Sequence, residues 1–218
     1  MKRLIIFGGH GNGTVVASTV EDINAVTPTW EILGFLNDQD EGPINGYPVL
    51  GGIDSETVGR WLDDPNVYFY WSLISVRLNH KFINRLKELG IPEERFATVV
   101  HPTAVVSKQA TLGYGVSIHP LVNVGPNVTL GNHIHVFAQA MIGHGATLEN
   151  FSYVANNACV GAHVRLHEGA YLGTNCTTLE NVEIGRWAIV GIGSVVVRSI
   201  GDFEKAVGNP SRIIGTVE

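Results

Sequence analysis

A strict six-residue repetition in the second half of the chain limits its fold more than any other feature. Counting by six from Val106, fifteen of sixteen residues are aliphatic, and Thr178 is the exception. The series is Val106, Leu112, Ile118, Val124, Leu130, Val136, Ile142, Leu148, Val154, Val160, Leu166, Leu172, Thr178, Ile184, Val190 and Val196. An α-helix has 3.6 residues per turn and cannot keep a period of six on one face. The position four residues further on is small or β-branched throughout.

This period predicts a left-handed parallel β-helix from about Val100 to Ile200. Three hexads close one triangular coil, and the aliphatic residues stack from coil to coil into a continuous core. A β-sandwich with chance alternation would space these residues irregularly. Glycine often follows the aliphatic residue, and we expect it to supply positive φ at the corners. Because the register has no break, any site must be made by coil side chains, a neighbouring domain or a neighbouring subunit.

The first hundred residues alternate between apolar runs and amphipathic segments. Strands are expected at Lys2 to Phe7, Trp30 to Leu36 and Val67 to Trp71, and helices after Gly13, from Ser55 as a capping residue to Leu62, and from Asn79 to Leu89. This alternation predicts a small parallel α/β domain of Rossmann-like type over residues 1–98, followed by the β-helix domain over residues 99–218.

The Gly-rich turn after the first strand, GGHGNG at residues 8–13, places backbone N–H groups at a helix N-terminus and suits a phosphate. Its spacing is G-x-x-G-x-G rather than the dinucleotide fingerprint G-x-G-x-x-G, so a simple tight turn is an open alternative. Asp38, at the end of the second strand, is where a ribose or base contact would lie. An ordinary loop carboxylate is the alternative for Asp38.

Composition excludes several classes of function. The formal net charge of −6 argues against nucleic-acid binding through phosphates. The two cysteines, Cys159 and Cys176, form no disulfide framework and point to a reducing compartment. The apolar run from Leu4 to Phe7 is too short for a signal peptide, and no stretch approaches the ~20 apolar residues of a membrane span. We therefore expect a soluble cytoplasmic protein without a membrane span.

Four segments resemble a particular acyltransferase family. They are the Gly-His-Gly turn, Gly34 to Asp38, Ile142-Gly143-His144, and Val207 to Arg212. The whole chain is similar to the hexapeptide-repeat sugar O/N-acetyltransferases, which act on sialic acid or on nucleotide-linked 4-amino-dideoxy sugars of the bacillosamine and perosamine type. The resemblance implies acetyl-CoA as cosubstrate, a homotrimer with active sites between subunits, and no metal.

The resemblance also implies roles for individual residues. His144 takes the place of the catalytic base, and a histidine suits proton removal from an attacking amine near neutral pH. Substrate contacts are expected at Gly9, His10, Gly11, Asn37, Asp38 and His135. Coenzyme A contacts are expected at Tyr153, Gly161, Ala162, Gly173, Thr174, Gly191, Pro210 and Arg212. His135 precedes Tyr153 by one coil, so both are expected on one face, and the Gly161-Ala162 backbone is a candidate oxyanion donor.

The chain departs from the family pattern at three places. Gly145 stands where an acidic residue often follows the catalytic histidine, and Tyr153 stands where a second histidine lies near the acetyl group. The turn after the fourth strand reads Ser72-Leu73-Ile74 instead of a Gly-Asn-rich sequence, although Arg77 is kept.

The leading hypothesis is an acetyl-CoA-dependent N-acetyltransferase, and O-acetylation of sialic acid or a related sugar is the alternative. A metal-dependent carbonic anhydrase on the same β-helix is disfavoured, because the pairs His133/His135 and His163/His167 lack its histidine spacing. A non-catalytic nucleotide-sensing solenoid remains open. Cys159 has no evident activating environment, and Cys176 falls on an inward core position.

Overall fold

The computed structural model describes residues 1–40, 42–74 and 79–217, with the side chains of Asn79 and His80 left out. The chain divides into two compact units, Met1–Val99 and Val100–Glu218. Arg77 lies outside the described residues. No helix in the described part of the chain has the length and apolar character that a membrane crossing requires.

The first unit is a parallel α/β domain, as predicted. Its elements are β1 (Lys2–Phe7), α1 (Asn12–Val26), β2 (Trp30–Leu36), β3 (Val49–Gly51), α2 (Ser55–Leu62), β4 (Val67–Trp71), α3 (Asn79–Glu88) and a 3-10 turn (Glu93–Arg95). The four strands form one parallel sheet in the order β3-β2-β1-β4. In the central strand β1, consecutive residues Leu4 to Phe7 are all fully buried, which is typical of a parallel strand covered on both faces.

Helix α2 begins differently from the sequence prediction. The sequence predicts Ser55 as its cap, but Ser55 is the first helical residue and Asp54 is the cap. The Asp54 carboxylate accepts the N–H of Thr57 at 2.8 Å and the hydroxyl of Thr57 at 2.9 Å. Asp and Ser are comparably good N-caps, so composition alone does not choose between adjacent candidates.

The second unit is a parallel β-helix made of two-residue strands. They are β5 (Val99–Val100), β6 (Val105–Val106), β7 (Thr111–Leu112), β8 (Ser117–Ile118), β9 (Asn123–Val124), β10 (Thr129–Leu130), β11 (His135–Val136), β12 (Met141–Ile142), β13 (Thr147–Leu148), β14 (Tyr153–Val154), β15 (Cys159–Val160), β16 (Arg165–Leu166), β17 (Tyr171–Leu172), β18 (Thr177–Thr178), β19 (Glu183–Ile184), β20 (Ile189–Val190) and β21 (Val195–Val196). A hairpin of β22 (Glu204–Gly208) and β23 (Ser211–Thr216) follows.

These strands form three sheets, one on each side of the triangle. Among the described residues they have eight, six and five strands, and we refer to them by those numbers. Each strand pairs in parallel with the strand one coil later, as in His135↔Tyr153 and Met141↔Cys159. The predicted aliphatic positions from Ile118 onwards are buried in one continuous core that runs from Val116 to Ala206, and Val106 and Leu112 are partly buried against it. The hairpin strand β22 adds to the eight-stranded sheet beside β20.

The corners correct one interpretation of the glycines. Every sixth residue from Gly115 to Gly193 has a positive φ, between 56° and 69°, and most of these residues are not glycine. The glycines after the aliphatic positions have no positive φ. A Cβ at Gly143 would lie 2.7 Å from the backbone N of Ala162, and one at Gly173 would lie 2.8 Å from the carbonyl of Val190. These glycines are therefore required by the close approach of successive coils.

Candidate functional site

A cavity of about 320 Å³ lies in the first unit, at the carboxyl ends of β1 and β2. Four predicted residues line it: Gly9, His10, Asn37 and Asp38. Gly11, the other substrate-binding residue predicted in this unit, has φ 95° and caps the N-terminus of α1. Ligands of open parallel sheets bind at this end of the strands, and a helix N-terminus beside the cavity favours an anionic group.

Two further residues of this cavity, Phe82 and Arg85, come from α3 and were not predicted. Arg85 forms an ion pair with Asp38 and also donates to the carbonyl of Ile53. Asp38 accepts the N–H of Ile53 at 2.8 Å. Partial burial raises the pKa of Asp38, but the hydrogen bond and charge of Arg85, together with the Ile53 N–H, lower it below its ordinary value overall. Asp38 is therefore an ionised carboxylate that joins three segments of the cavity wall.

Asn37 and Gly9 are in close contact. A Cβ at Gly9 would overlap Asn37 Nδ2, so a larger residue at Gly9 would displace the Asn37 side chain. That amide donates to Asp40 at 2.8 Å and accepts the N–H of Gln39 at 2.7 Å. Asn37 thus shapes the loop after β2, and Gly9 brings the backbone of the Gly-rich turn against it.

His144 lies in the turn between β12 and β13, where the six-stranded sheet leads into the five-stranded sheet. Its side chain is exposed. The ring of His163, one coil later, packs edge-to-face against the His144 ring with a centroid distance of 5.0 Å and an interplanar angle of 86°. In the sequence, His163 stands out only through its pairing with His167.

The candidate oxyanion donor is one residue, Ala162, rather than the pair. The N–H of Gly161 donates to Thr178 Oγ1 at 2.9 Å and is therefore not available to a ligand. Within the described residues, the N–H of Ala162 donates to no protein group. Ala162 lies one coil after His144 at the same corner, so a histidine and a backbone donor lie on adjacent coils.

His135 and Tyr153 are neighbours on the eight-stranded sheet, as their spacing predicted. His135 is 3% exposed and hydrogen-bonded to Ser117 Oγ at 3.2 Å, and burial lowers its pKa well below the usual value. Tyr153 stacks on Tyr171 at 4.7 Å, and burial raises its pKa. Substrate contact by His135 stays a prediction, although its burial favours a packing role.

Tyr153 and His144 are on different sides of the coil. Tyr153 belongs to the eight-stranded sheet, whereas His144 follows a strand of the six-stranded sheet. The other residues predicted to bind coenzyme A also divide. Gly161 and Ala162 lie at the same corner as His144. A second group lies at the corner between the eight- and six-stranded sheets and consists of Gly173, Thr174 and Gly191. Pro210 and Arg212 are exposed at the terminal hairpin.

The remaining candidates from the sequence are the metal-type histidine pairs, the cysteines and the turn after β4. Within the described residues no group of three or more His, Cys, Asp or Glu side chains is arranged to hold a metal ion. Cys176 is buried in the core as predicted, and burial raises its pKa to about 12. In the turn after β4, the hydroxyl of Ser72 donates to the carbonyl of Phe7 and so connects this turn to the end of β1.

Residues 3–69 match the family model of the PglD N-terminal domain. A UDP-N-acetylbacillosamine N-acetyltransferase of Bacillus subtilis (strain 168) is 31% identical over 115 residues, which are 53% of this chain and 50% of that protein. The chain thus aligns with about half the length of this curated relative.

Solved structures match over nearly the whole chain. The acetyltransferase domain of PglB from Neisseria gonorrhoeae FA1090 has a TM-score of 0.85 at 24% identity, covering 98% of this chain and 100% of that one. A mutant of perosamine N-acetyltransferase from Caulobacter crescentus, in complex with CoA and GDP-perosamine, has a TM-score of 0.86 at 24% identity, covering 99% and 98%. The comparisons confirm the predicted fold class and the resemblance to the hexapeptide-repeat acyltransferases.

Proposed function

We propose that this chain, which has the fold of the hexapeptide-repeat sugar acetyltransferases, transfers an acetyl group from acetyl-CoA to the amino group of a nucleotide-linked 4-amino-dideoxy sugar. The observation that carries the proposal is the placement of the exposed His144 one coil before the unengaged N–H of Ala162. The names of the relatives, a bacillosamine and a perosamine N-acetyltransferase, support an amino-sugar acceptor.

The proposed chemistry is direct transfer without a covalent enzyme intermediate. His144 removes a proton as the sugar amine attacks the thioester carbonyl, and the resulting oxyanion accepts a hydrogen bond from Ala162 N–H. Collapse of the tetrahedral intermediate forms the amide bond and breaks the C–S bond, and the coenzyme A thiolate leaves and takes up a proton. The residues present supply a base and an oxyanion donor, which are the groups this reaction requires.

The first unit is proposed to hold the nucleotide of the sugar. The start of α1 at Gly11 suits the diphosphate, because a helix N-terminus favours an anion. Phe82 is half-buried in the cavity wall and offers an aromatic face to a base. Asp38 and Arg85 are paired with each other, so we assign them to shaping the cavity before any contact with the ligand.

A homotrimer is proposed because the predicted cosubstrate site is divided within one chain. His144 and Tyr153 lie on different sides of the coil, so one site that uses both must combine two subunits. The six-stranded sheet and its flanking turns also expose apolar side chains, which marks an interaction surface. They are Val105, Met141, Leu179, Ile192 and Val197.

Coenzyme A is proposed to lie along the corner of His144 and Ala162 and towards the terminal hairpin. Arg212, exposed near Pro210, suits one of its phosphates through charge and bidentate hydrogen bonding. Two free cysteines, Cys159 and Cys176, fit the reducing conditions of the cytoplasm, where we place the reaction.

The proposal is tested by measuring thiol release from acetyl-CoA with a panel of UDP-, GDP- and dTDP-linked 4-amino sugars. We expect turnover with at least one amine acceptor and a loss of about 10²- to 10⁴-fold in kcat for His144→Asn. Sialic acid and hydroxyl sugars in the same panel separate the O-acetyl alternative. Acetyl-CoA binding without turnover on any acceptor, or full activity of His144→Asn, contradicts the proposal.

A further inference from the structure

We propose that His163 is a positioning residue that holds the His144 imidazole in the orientation needed to remove a proton. The inference rests on the acetyltransferase function proposed above. It deepens that function by assigning a second histidine to the same corner of the β-helix.

The contact between the two rings carries the proposal. His144 is exposed in its turn, and the edge-to-face ring of His163 restricts its rotation. The backbone joins the same two residues, because the N–H of His163 donates to the carbonyl of His144 at 2.9 Å. Side-chain orientation and backbone register are therefore set together.

Gly145 is what allows His163 to reach this position. A Cβ at Gly145 would lie 2.6 Å from His163 Cε1, so any side chain at residue 145 excludes the His163 ring from its present place. Gly145 has no side chain to place beside His144, and the His163 imidazole from the following coil occupies that space.

The corner itself indicates which substitutions the backbone accepts. His163 has φ 56°, and Asn127 and Asn181 occupy equivalent corner positions with φ 58° and 59°. Asparagine adopts this left-handed conformation more readily than most residues. His163→Asn therefore keeps the fold while removing the ring, and Asn127→Gly, on the coil before Gly145, is a matched control at an exposed position.

The first test is kinetic. We expect His163→Asn to lower kcat about 10- to 100-fold, as misplacement of a catalytic group does, with the KM of both substrates and Tm nearly unchanged. Asn127→Gly is expected to behave as wild type. The exchange variant Gly145→Asp/His163→Gly places a carboxylate beside His144 and is expected to regain most of the lost kcat, because a carboxylate orients an imidazole through its N–H.

The second test does not depend on turnover. In ¹⁵N-edited NMR spectra of the imidazoles, His163→Asn is expected to shift or broaden the His144 signals, whereas Asn127→Gly leaves them in place. If the wild-type protein acetylates no amino sugar, the proposed function fails and the NMR result alone decides the positioning role. A wild-type kcat in His163→Asn, or His144 signals that do not respond to it, overturns the inference.

Discussion

The side chain of Thr178 accepts the N–H of Gly161 at 2.9 Å, where other coils use a backbone carbonyl for the same purpose. On the preceding coil, for example, the N–H of Gly143 donates to the carbonyl of Val160 at 2.8 Å. Thr178 is also the residue that interrupts the aliphatic series, and it is 4% exposed. Its hydroxyl is therefore accommodated in the core by a specific hydrogen bond beside the proposed active site.

Replacing Thr178 with Val keeps the shape of the side chain and removes the acceptor. We expect a loss of about 1 kcal/mol in the free energy of unfolding, the usual net worth of one hydrogen bond. Denaturant unfolding of the variant measures it. Thr129→Val, at an exposed strand position, is the control. Unchanged stability would mean that the Gly161 N–H turns to the carbonyl of residue 178.

Alanine substitutions at two glycines separate close approach from backbone freedom. A Cβ at Gly113 would lie 2.6 Å from the carbonyl oxygen of Gly131, so Gly113→Ala is expected to cost about 1–3 kcal/mol by overpacking. Gly59 lies within α2 with no atom near its virtual Cβ, so Gly59→Ala is expected to stabilise by about 0.5–1 kcal/mol. Thermal unfolding of both variants measures whether each substitution lowers or raises the free energy of unfolding. A destabilised Gly59→Ala or a neutral Gly113→Ala contradicts this account.

Much of the fold follows from the sequence because its signals are periodic. The hexad count places His135 beside Tyr153 and Cys176 in the core without knowledge of any contact. The prediction that the glycines after the aliphatic residues supply positive φ is wrong. A sequence pattern does not distinguish a corner that needs a positive φ from a coil that leaves no room for a Cβ. That distinction depends on the distance between coils.

The candidate site was less predictable, because its contacts join residues remote in sequence. Arg85 reaches Asp38 only because α3 packs beside the end of β2. His163 meets His144 only because Gly145 leaves space between successive coils. A nineteen-residue separation has no signature in the hexad pattern. The candidate oxyanion donor is Ala162 alone and not the Gly161-Ala162 pair, because Thr178 Oγ1 accepts the N–H of Gly161. The hexad pattern contains no sign of that hydrogen bond.

Removal of the aromatic ring of Phe82 is expected to weaken nucleotide binding. Stacking of a base on an aromatic side chain is worth about 1–3 kcal/mol, so Phe82→Ala is expected to raise the Kd for a nucleoside diphosphate by about 5- to 150-fold in calorimetric titration. Asn84→Ala, an exposed substitution on the same helix, is the control. Equal affinity of both variants and wild type would place the base elsewhere.

Stability is expected to decrease in mild acid because of His119. Burial lowers its pKa to about 4, with a contribution from the nearby charge of His101. In the unfolded chain the pKa is about 6.5, so the unfolded state binds the proton first. The stability that neutral His119 contributes is complete above about pH 6.5 and is lost as the pH falls towards 4, by about 3 kcal/mol.

Unfolding curves of His119→Gln at several pH values between 7 and 4 test this. As the pH falls, the free energy of unfolding of the wild type is expected to decrease more than that of His119→Gln. The exposed substitution His10→Gln is the control. Parallel pH profiles for wild type and His119→Gln would show that His119 does not contribute.

A charge on the six-stranded sheet is expected to separate the subunits. Met141 is 44% exposed at the start of β12, and burying a carboxylate there without a partner is strongly unfavourable. In sedimentation velocity we expect three chains for wild type and a monomer for Met141→Glu, with loss of acetyl transfer. Thr111→Glu, exposed on the five-stranded sheet, is expected to stay trimeric. A monomeric wild type, or a trimeric Met141→Glu, argues against this interface.

The pairing of strands one coil apart governs how such a chain can change length. Where the added or removed residues belong to the coil itself, a change of fewer than eighteen residues would shift aliphatic side chains away from their stacks or move the strands onto another side of the triangle. Eighteen residues would instead add or remove one complete layer and leave every later layer in phase. Evolutionary or engineered changes to the length of the coil are therefore expected to come in steps of eighteen residues. Each step would move the terminal hairpin by one strand spacing relative to His144.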